Sequence, residues 1–239
     1  MKKEIKWILS ILIVAGLVAG YYVLHHPPQF LRQTRSVNVL KFIRNPEEYQ
    51  NWKIPAGSTC ANAPFKFPTD GFVGYLWDDS FRPGHHHSGI DVFSGTEGGV
   101  TPIYAVADGY LTRESTWIST VIVRIPSDPL NPGRQIWTYY THMADEDGNS
   151  FVSDEFPAGT HEVFVEAGTF LGYMGDYSGT PGSPTGVHLH LSIVKDDGNG
   201  NYMNETEIKN TLDPSPYLGL SLNANTNKDQ IPVCIAETP

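Results

Sequence analysis

The chain has 239 residues, 16 Lys and Arg against 26 Asp and Glu, a net charge of −10, 23 glycines, 18 prolines and 12% aromatic residues. Its length allows one domain of ordinary size plus extensions, and its acidity argues against nucleic-acid binding, which would call for a basic patch. Few segments repeat with helical period, and the supply of Gly, Pro and aromatic residues predicts an all-β domain, an antiparallel sheet or sandwich with many tight turns.

Residues 1–6 set Lys2, Lys3 and Lys6 against Glu4, a net +2 that leaves −12 (−10 minus +2) on the rest. Trp7 to Leu24 then runs without a charge. Spanning a bilayer takes about 20 apolar residues, with about 17 as the lower limit, whereas the apolar part of a secretory signal has about 7–15. The length predicts an uncleaved transmembrane helix over 7–24, with residues 1–6 cytoplasmic by the positive-inside rule. Cleavage after Ala19 or Gly20, releasing a secreted form, is the alternative. Either way the rest of the chain lies outside the cytoplasm.

His25, His26, Pro27 and Pro28 end any helix. Residues 25–66 read as a spacer and collar, with a short helix over Val37 to Ile43. A body over 67–222 follows, with strands predicted at Ile103–Thr112, Trp117–Ile125, Gln135–Met143, Glu162–Val165, Thr169–Met174 and Val187–Val194. Asp108-Gly109 fits a tight turn between strands. Lys195–Asn201 is a turn-rich loop, and Asn204 with Glu207 would cap a short helix. Asp213 to Leu218 closes the body, and 223–239 is a polar tail. Cys60 and Cys234 are the only cysteines and lie in no C-x-x-C pattern, which argues against a redox motif or zinc knuckle. Outside the cytoplasm they would form a disulfide joining the two flanks; two unpaired, partly buried thiols are the alternative.

His188 and His190 sit two apart in the apolar run Val187–Ser192. A strand alternates its faces, so both imidazoles project one way and Leu189 and Leu191 the other. Such a pair suits a metal site, or a metal ligand beside a catalytic base, and a zinc site needs a further contributor. Gly84-His85-His86-His87-Ser88-Gly89-Ile90-Asp91 supplies one. Of the three histidines only His87 meets a carboxylate four residues on, since His85 meets Gly89 and His86 meets Ile90. Gly89 would let the backbone bend so that His87 and Asp91 reach one ion. Two histidines and one aspartate leave a fourth position for water, the pattern of a catalytic zinc.

In order along the chain stand H-x-G-x-D (His87, Gly89, Asp91), Tyr-Ala-Val-Ala-Asp-Gly (Tyr104 to Gly109), Tyr-x-His (Tyr140, His142), the glycine-punctuated run Gly168–Gly175, and H-x-H (His188, His190). Over about residues 68–195 this resembles the lysostaphin- or LytM-type (M23) zinc endopeptidases that cut peptidoglycan. The resemblance implies one Zn²⁺ per chain held by His87, Asp91 and His190. It makes His142 and His188 the catalytic histidines, one moving the water's proton to the leaving amine and the other bonding the oxyanion, with the order open. Peptidoglycan peptides are the implied partner, reached from a membrane anchor at the N-terminal helix. A catalytically silent module that binds wall peptides or regulates a partner hydrolase is the alternative. The bond cut, Gly-Gly or D-Ala–diaminopimelate, stays open, with the loop Ser178–Thr185 expected to contribute to the choice.

Around these motifs, strand alternation predicts Tyr140 and His142 on one face and Thr141 on the other. His85 and His86 depart from the family pattern and are expected to be solvated, with groove lining or hydrogen bonds that support the metal ligands as the alternatives. His161 is expected at the surface. Trp77, Tyr110, Trp137 and Tyr173 are candidates for groove walls, with core positions as the alternative. Either flank, 25–66 or the tail, is a candidate cover for the groove.

Overall fold

The computed structural model describes residues 35–79, 84–223 and 230–234, together with positions 13, 14, 16 and 21. The predicted transmembrane helix therefore lies mostly outside the described residues, although those four positions are helical. Among the described residues no helix is long and apolar enough to cross a membrane.

The body is mostly antiparallel β-structure. Its strands are β1 (Phe72–Tyr75), β2 (Ile90–Phe93), β3 (Pro102–Tyr104), β4 (Gly109–Thr112), β5 (Val121–Ile125), β6 (Ile136–Thr141), β7 (Val163–Val165), β8 (Phe170–Tyr173), β9 (Leu189–Lys195) and β10 (Thr211–Leu212). The main sheet runs β1-β2-β9-β6-β5-β4-β7, β10 pairs with the far end of β9, and β3 with β8 forms a separate two-stranded ribbon. One face of the main sheet buries Val73, Ile90, Val92, Leu111, Val121, Val123, Tyr140, Leu189, Leu191 and Ile193 in the principal core, which the ribbon joins through Ile103 and Leu171.

The predicted strand Ile103–Thr112 is in fact two, β3 in the ribbon and β4 in the sheet, separated by residues 105–108. Nor is Asp108-Gly109 a hairpin turn. Gly109 opens β4, where a Cβ would meet the carbonyl oxygen of Arg124 at 2.5 Å, and the Asp108 carboxylate accepts the Ala167 N–H. Close approach of two strands, and not a left-handed φ, requires that glycine. The capped helix expected at Asn204 and Glu207 is only a single 3-10 turn, Ile208–Asn210, without a side-chain cap. The Asn204 side chain instead accepts the Thr206 N–H in a local turn.

The collar holds one helix, α1 (Arg35–Arg44), whose last turn carries Lys41 and Arg44, favourable against the helix dipole. Pro46 follows and disfavours helical continuation at Asn45. Val39 and Phe42 of α1 pack on Phe72 and Phe93, on the sheet face opposite the main core. Burying side chains of this kind contributes about 1.5–3 kcal/mol each. A second short helix, α2 (Ser215–Leu218), closes the body with Tyr217 buried, its hydroxyl donating to Asp128. Cys60 and Cys234 are disulfide-bonded, with Cα atoms 4.9 Å apart, so the flank before β1 is joined to the tail.

Candidate metal centre and catalytic cleft

The site grows from the register of four strands. Asp91 of β2 pairs directly with His190 of β9, and His190 with Thr141 of β6, while Tyr75 of β1 stands opposite Asp91. These four form one row across the non-core face of the sheet. Ile90, Leu191 and Tyr140, each one residue along, form the adjacent row on the core face. His188 shares the face of His190, as the period of two demands, and stacks on Phe93 with ring centroids 5.1 Å apart.

His87 comes from the loop before β2. Its N–H donates to the Asp79 carbonyl, and its own carbonyl accepts the Asp78 N–H. Gly89 does more than permit a bend. A Cβ there would lie 2.3 Å from the Leu191 carbonyl oxygen and 3.0 Å from His190 Nε2, so only glycine lets this loop lie against β9.

His142 reaches the site by a departure from strand geometry. Its φ of 72° is left-handed, just past the end of β6. Continued alternation would have sent it to the core beside Tyr140. Tyr140 is fully buried there, its hydroxyl oxygen accepting the Val106 N–H, and burial pushes its pKa up to about 12. The expectation that Tyr140 and His142 share a face, with Thr141 opposite, is therefore corrected. Thr141 and His142 line the cleft together, because the turn at His142 breaks the alternation.

Three donor atoms converge at the centre. His87 Nε2 lies 3.0 Å from Asp91 Oδ1 and 3.0 Å from His190 Nδ1, and His190 Nδ1 lies 2.8 Å from Asp91 Oδ1. Their outer hydrogen bonds fix what these atoms are. His87 Nδ1–H donates to the Leu76 carbonyl at 2.9 Å, and His190 Nε2–H to the Glu205 carboxylate at 2.8 Å. With both rings neutral, a pair of imidazole lone pairs and a carboxylate oxygen face one another in a buried site. Three acceptors so placed repel unless a proton or a metal cation sits among them, and two imidazoles with one carboxylate are zinc-type donors. The residues present thus fit a divalent ion.

Electrostatics follow from this crowding. Burial alone would raise the Asp91 carboxyl, but the nearby His87 and His188 imidazoles and the hydrogen bond from His190 outweigh it and hold it well below the usual carboxylate range. Burial disfavours charge on His190 as well, yet the hydrogen bonds to Asp91 and Glu205 prevail and push its pKa up to about 10. Glu205, despite its burial, is lowered to about 2, chiefly by its hydrogen bond with His190.

His142 and His188 form the second imidazole pair, with ring centroids 4.5 Å apart. His142 Nδ1–H donates to the Tyr177 carbonyl and His188 Nδ1–H to the Gly186 carbonyl, each at 2.7 Å. In each neutral ring Nε2 is then the acceptor. Burial, aided by the nearby imidazoles His188 and His190, lowers His142 to about 3; burial likewise lowers His188.

The cleft over these groups has a volume of about 910 Å³ and is also lined by Tyr75, Phe93, Tyr139, Ser178 and Thr185. Both ends of the Ser178–Thr185 loop thus border it. Its lining runs from Tyr75 to Ile208, so among the described residues neither flank enters it. His85 and His86 line the rim, and His86 is also exposed and bonded to Asp78 at 2.7 Å, so lining holds for both and solvation for His86. His161 is exposed, as expected. None of the four aromatic candidates lines this cleft. Trp77 donates to Thr211 Oγ1 beside a smaller hollow, Trp137 is buried, Tyr110 packs on Phe164, and Tyr173 is exposed. Tyr75, Phe93, Tyr139 and Glu205 were missed. Phe93 could have been found by extending the period of two along β2 from Asp91, whereas Tyr75 is brought there by strand pairing and no local pattern announces Glu205.

No protein-family model matches the chain, and no curated protein matches it in sequence. Solved structures do. A Ruminococcus gnavus protein assigned as a glycyl-glycine endopeptidase aligns at 25% identity and a TM-score of 0.36, over 54% of this chain and 45% of its own. The catalytic domain of the prophage-encoded M23 protein EnpA from Enterococcus faecalis aligns at 21% identity and a TM-score of 0.36, over 63% of this chain and 96% of its own. Lysostaphin, the antimicrobial peptidase of Staphylococcus simulans, aligns at 17% identity and a TM-score of 0.38, over 72% of this chain and 61% of its own. The chain thus spans less than two thirds of the first and third of these proteins. Among solved structures, this chain is similar to peptidases of the lysostaphin and LytM (M23) type.

Proposed function

We propose that the chain is a zinc-dependent endopeptidase that hydrolyses peptide bonds in peptidoglycan cross-links or stem peptides. It would act outside the cytoplasm, tethered by the apolar run over 7–24 or released if that run is cleaved. The observation that carries this reading is the convergence of His87 Nε2, His190 Nδ1 and Asp91 Oδ1 within 3.0 Å of one another, buried in the floor of an open cleft. His87, Asp91 and His190 would hold a zinc ion, whose Lewis acidity would make water a nucleophile at neutral pH.

The chain's own residues supply the proton transfers. His142 and His188 both line the cleft and present Nε2 as acceptor, since their Nδ1–H groups are engaged with carbonyls. One of them takes a proton from the attacking water at Nε2. It returns that proton to the leaving amine as the C–N bond breaks. The other can donate a hydrogen bond to the oxygen of the former carbonyl only in the form that has taken a proton from solvent at Nε2, a form that burial makes scarce. Tyr75, Phe93 and Tyr139 wall the site with aromatic surface against which a peptide backbone can lie.

The test is to incubate purified protein with sacculi of differing cross-bridge chemistry, with zinc or with chelator, and to analyse released fragments by mass. New amino termini that appear with zinc and vanish on chelation are expected, and their masses name the bond. Intact sacculi in every zinc-supplied arm would overturn the reading.

A further inference from the structure

We propose that Glu205 is a positioning residue for the metal site, fixing His190 so that Nδ1 and not Nε2 faces the ligand cluster; this rests on the metal reading above. Glu205 lies in the loop after β9, 15 residues from His190, and its side chain is 15% exposed. A single carboxylate oxygen, Oε1, accepts three hydrogen bonds: from His190 Nε2–H at 2.8 Å, Ser88 Oγ at 2.6 Å and Ser192 Oγ at 3.2 Å.

The placement of those donors gives the carboxylate its role. Ser88 follows the ligand His87 in the loop before β2, and Ser192 lies two residues beyond His190 on the same face of β9. One oxygen therefore ties both ligand-bearing segments together and holds the imidazole from behind. An imidazole has two nitrogens of nearly equal basicity, so a free histidine can bind through either, in more than one ring orientation. A carboxylate opposite Nε2 accepts that N–H, which leaves the Nδ1 lone pair facing His87 and Asp91 and raises its basicity as a ligand. The loop is itself braced. The Asn204 carbonyl accepts from Asn210 Nδ2, and the Asn204 side chain accepts the Thr206 N–H.

The experiment measures zinc affinity by chelator competition for wild type, Glu205→Ala, Glu205→Gln and the Ser88→Ala/Ser192→Ala double variant, with the melting temperature of each metal-free protein alongside. Loss of an outer-shell partner of this kind lowers metal affinity by about 10–100-fold, and Glu205→Ala is expected in that range. Glu205→Gln keeps an acceptor but not the charge and should fall between Ala and wild type. The serine variant keeps the carboxylate–imidazole pair and should lose less than either. Long-range ¹H–¹⁵N spectra of the zinc-loaded wild type should show His190 protonated at Nε2, a readout that loop bracing alone does not predict. Affinity of Glu205→Ala within about 2-fold of wild type, against that expected loss, would overturn the proposal. So would a serine variant as impaired as Glu205→Ala, or a His190 protonated at Nδ1. A wild type that takes up no zinc is a separate result, and it removes the metal reading along with this one.

Discussion

The site has a strand-borne half and a loop-borne half, and they are specified differently. Asp91, His190 and Thr141 are set by ladder register, where many hydrogen bonds agree on one answer. A slip of one residue would bring leucines into the cleft and bury the ligands. His87, His142 and Glu205 are set by a few individual contacts: the Leu76 carbonyl for His87, a left-handed φ and the Tyr177 carbonyl for His142, and a pair of serines for Glu205. The strand half supplies a rigid floor. The loop half supplies groups whose positions can be altered one at a time.

The largest expected effect comes from breaking the floor. His190→Ala removes one of three ligands and leaves His87 and Asp91 without their partner, so bound zinc should fall well below one per chain and peptidase activity to background. Metal analysis after gel filtration, together with fragment release from sacculi, checks both. A fully active, zinc-loaded His190→Ala protein would show that the three-atom cluster is not the metal site.

Breaking the loop half should separate chemistry from metal binding. His142→Asn is the cleaner substitution, because asparagine tolerates the left-handed conformation at this position. General acid–base groups contribute about 10²–10⁴-fold, so kcat should drop within that range while zinc content stays at one per chain. His188→Ala should act in the same direction, with additional disturbance from the loss of its stack on Phe93. Loss of zinc along with activity in His142→Asn would mean that the two halves are not separable.

This division also explains what could be read from the chain. Among the strand-borne residues the two histidines announce themselves, since the period of two in Val187–Ser192 puts both imidazoles on one side with no structure needed; Tyr75, Phe93 and Tyr139, also on strands, did not. The spacing from His87 to Asp91 was legible for a similar reason, only one of three histidines having a carboxylate at the right distance. Other failures fall where the backbone leaves the pattern or the fold alone supplies the partner. His142 was assigned the face of Tyr140 because nothing local to Tyr-Thr-His signals a positive φ. Ile103–Thr112 was read as one strand because its residues all suit strands, while the break at 105–108 comes from tertiary packing. Glu205 was invisible because its partners, Ser88, His190 and Ser192, are brought to it only by the fold. The disulfide was one of two readings, and the approach of Cys60 to Cys234 likewise depends on the fold.

The smallest expected effect is on stability as a function of pH, where His190 pulls against His142, Asp91 and Glu205. His142, lowered to about 3, stays neutral in the native protein, while in the unfolded chain it takes a proton below about 6.5. The unfolded state then binds more protons, so stability falls as pH drops from about 6.5 toward 3. Asp91 and Glu205, both lowered, add to that acid loss, because their contribution is present above the ordinary carboxylate range and disappears as pH falls through their native values. His190 does the reverse. Raised to about 10, it keeps a proton that the unfolded chain releases above about 6.5, so its contribution is complete below that pH and is lost as pH rises toward 10. The metal-free protein should therefore be most stable at about pH 6–7 and lose melting temperature on both sides. Zinc displaces the proton from His190 Nδ1, and its affinity rises as that proton becomes easier to remove. Saturating zinc should accordingly flatten the alkaline limb and spare the acid one. Melting temperatures at about pH 5, 6.5 and 9, with chelator and with zinc, decide the matter. A chelated protein equally stable at the upper two values would mean that His190 does not carry the bridging proton between Asp91 and Glu205.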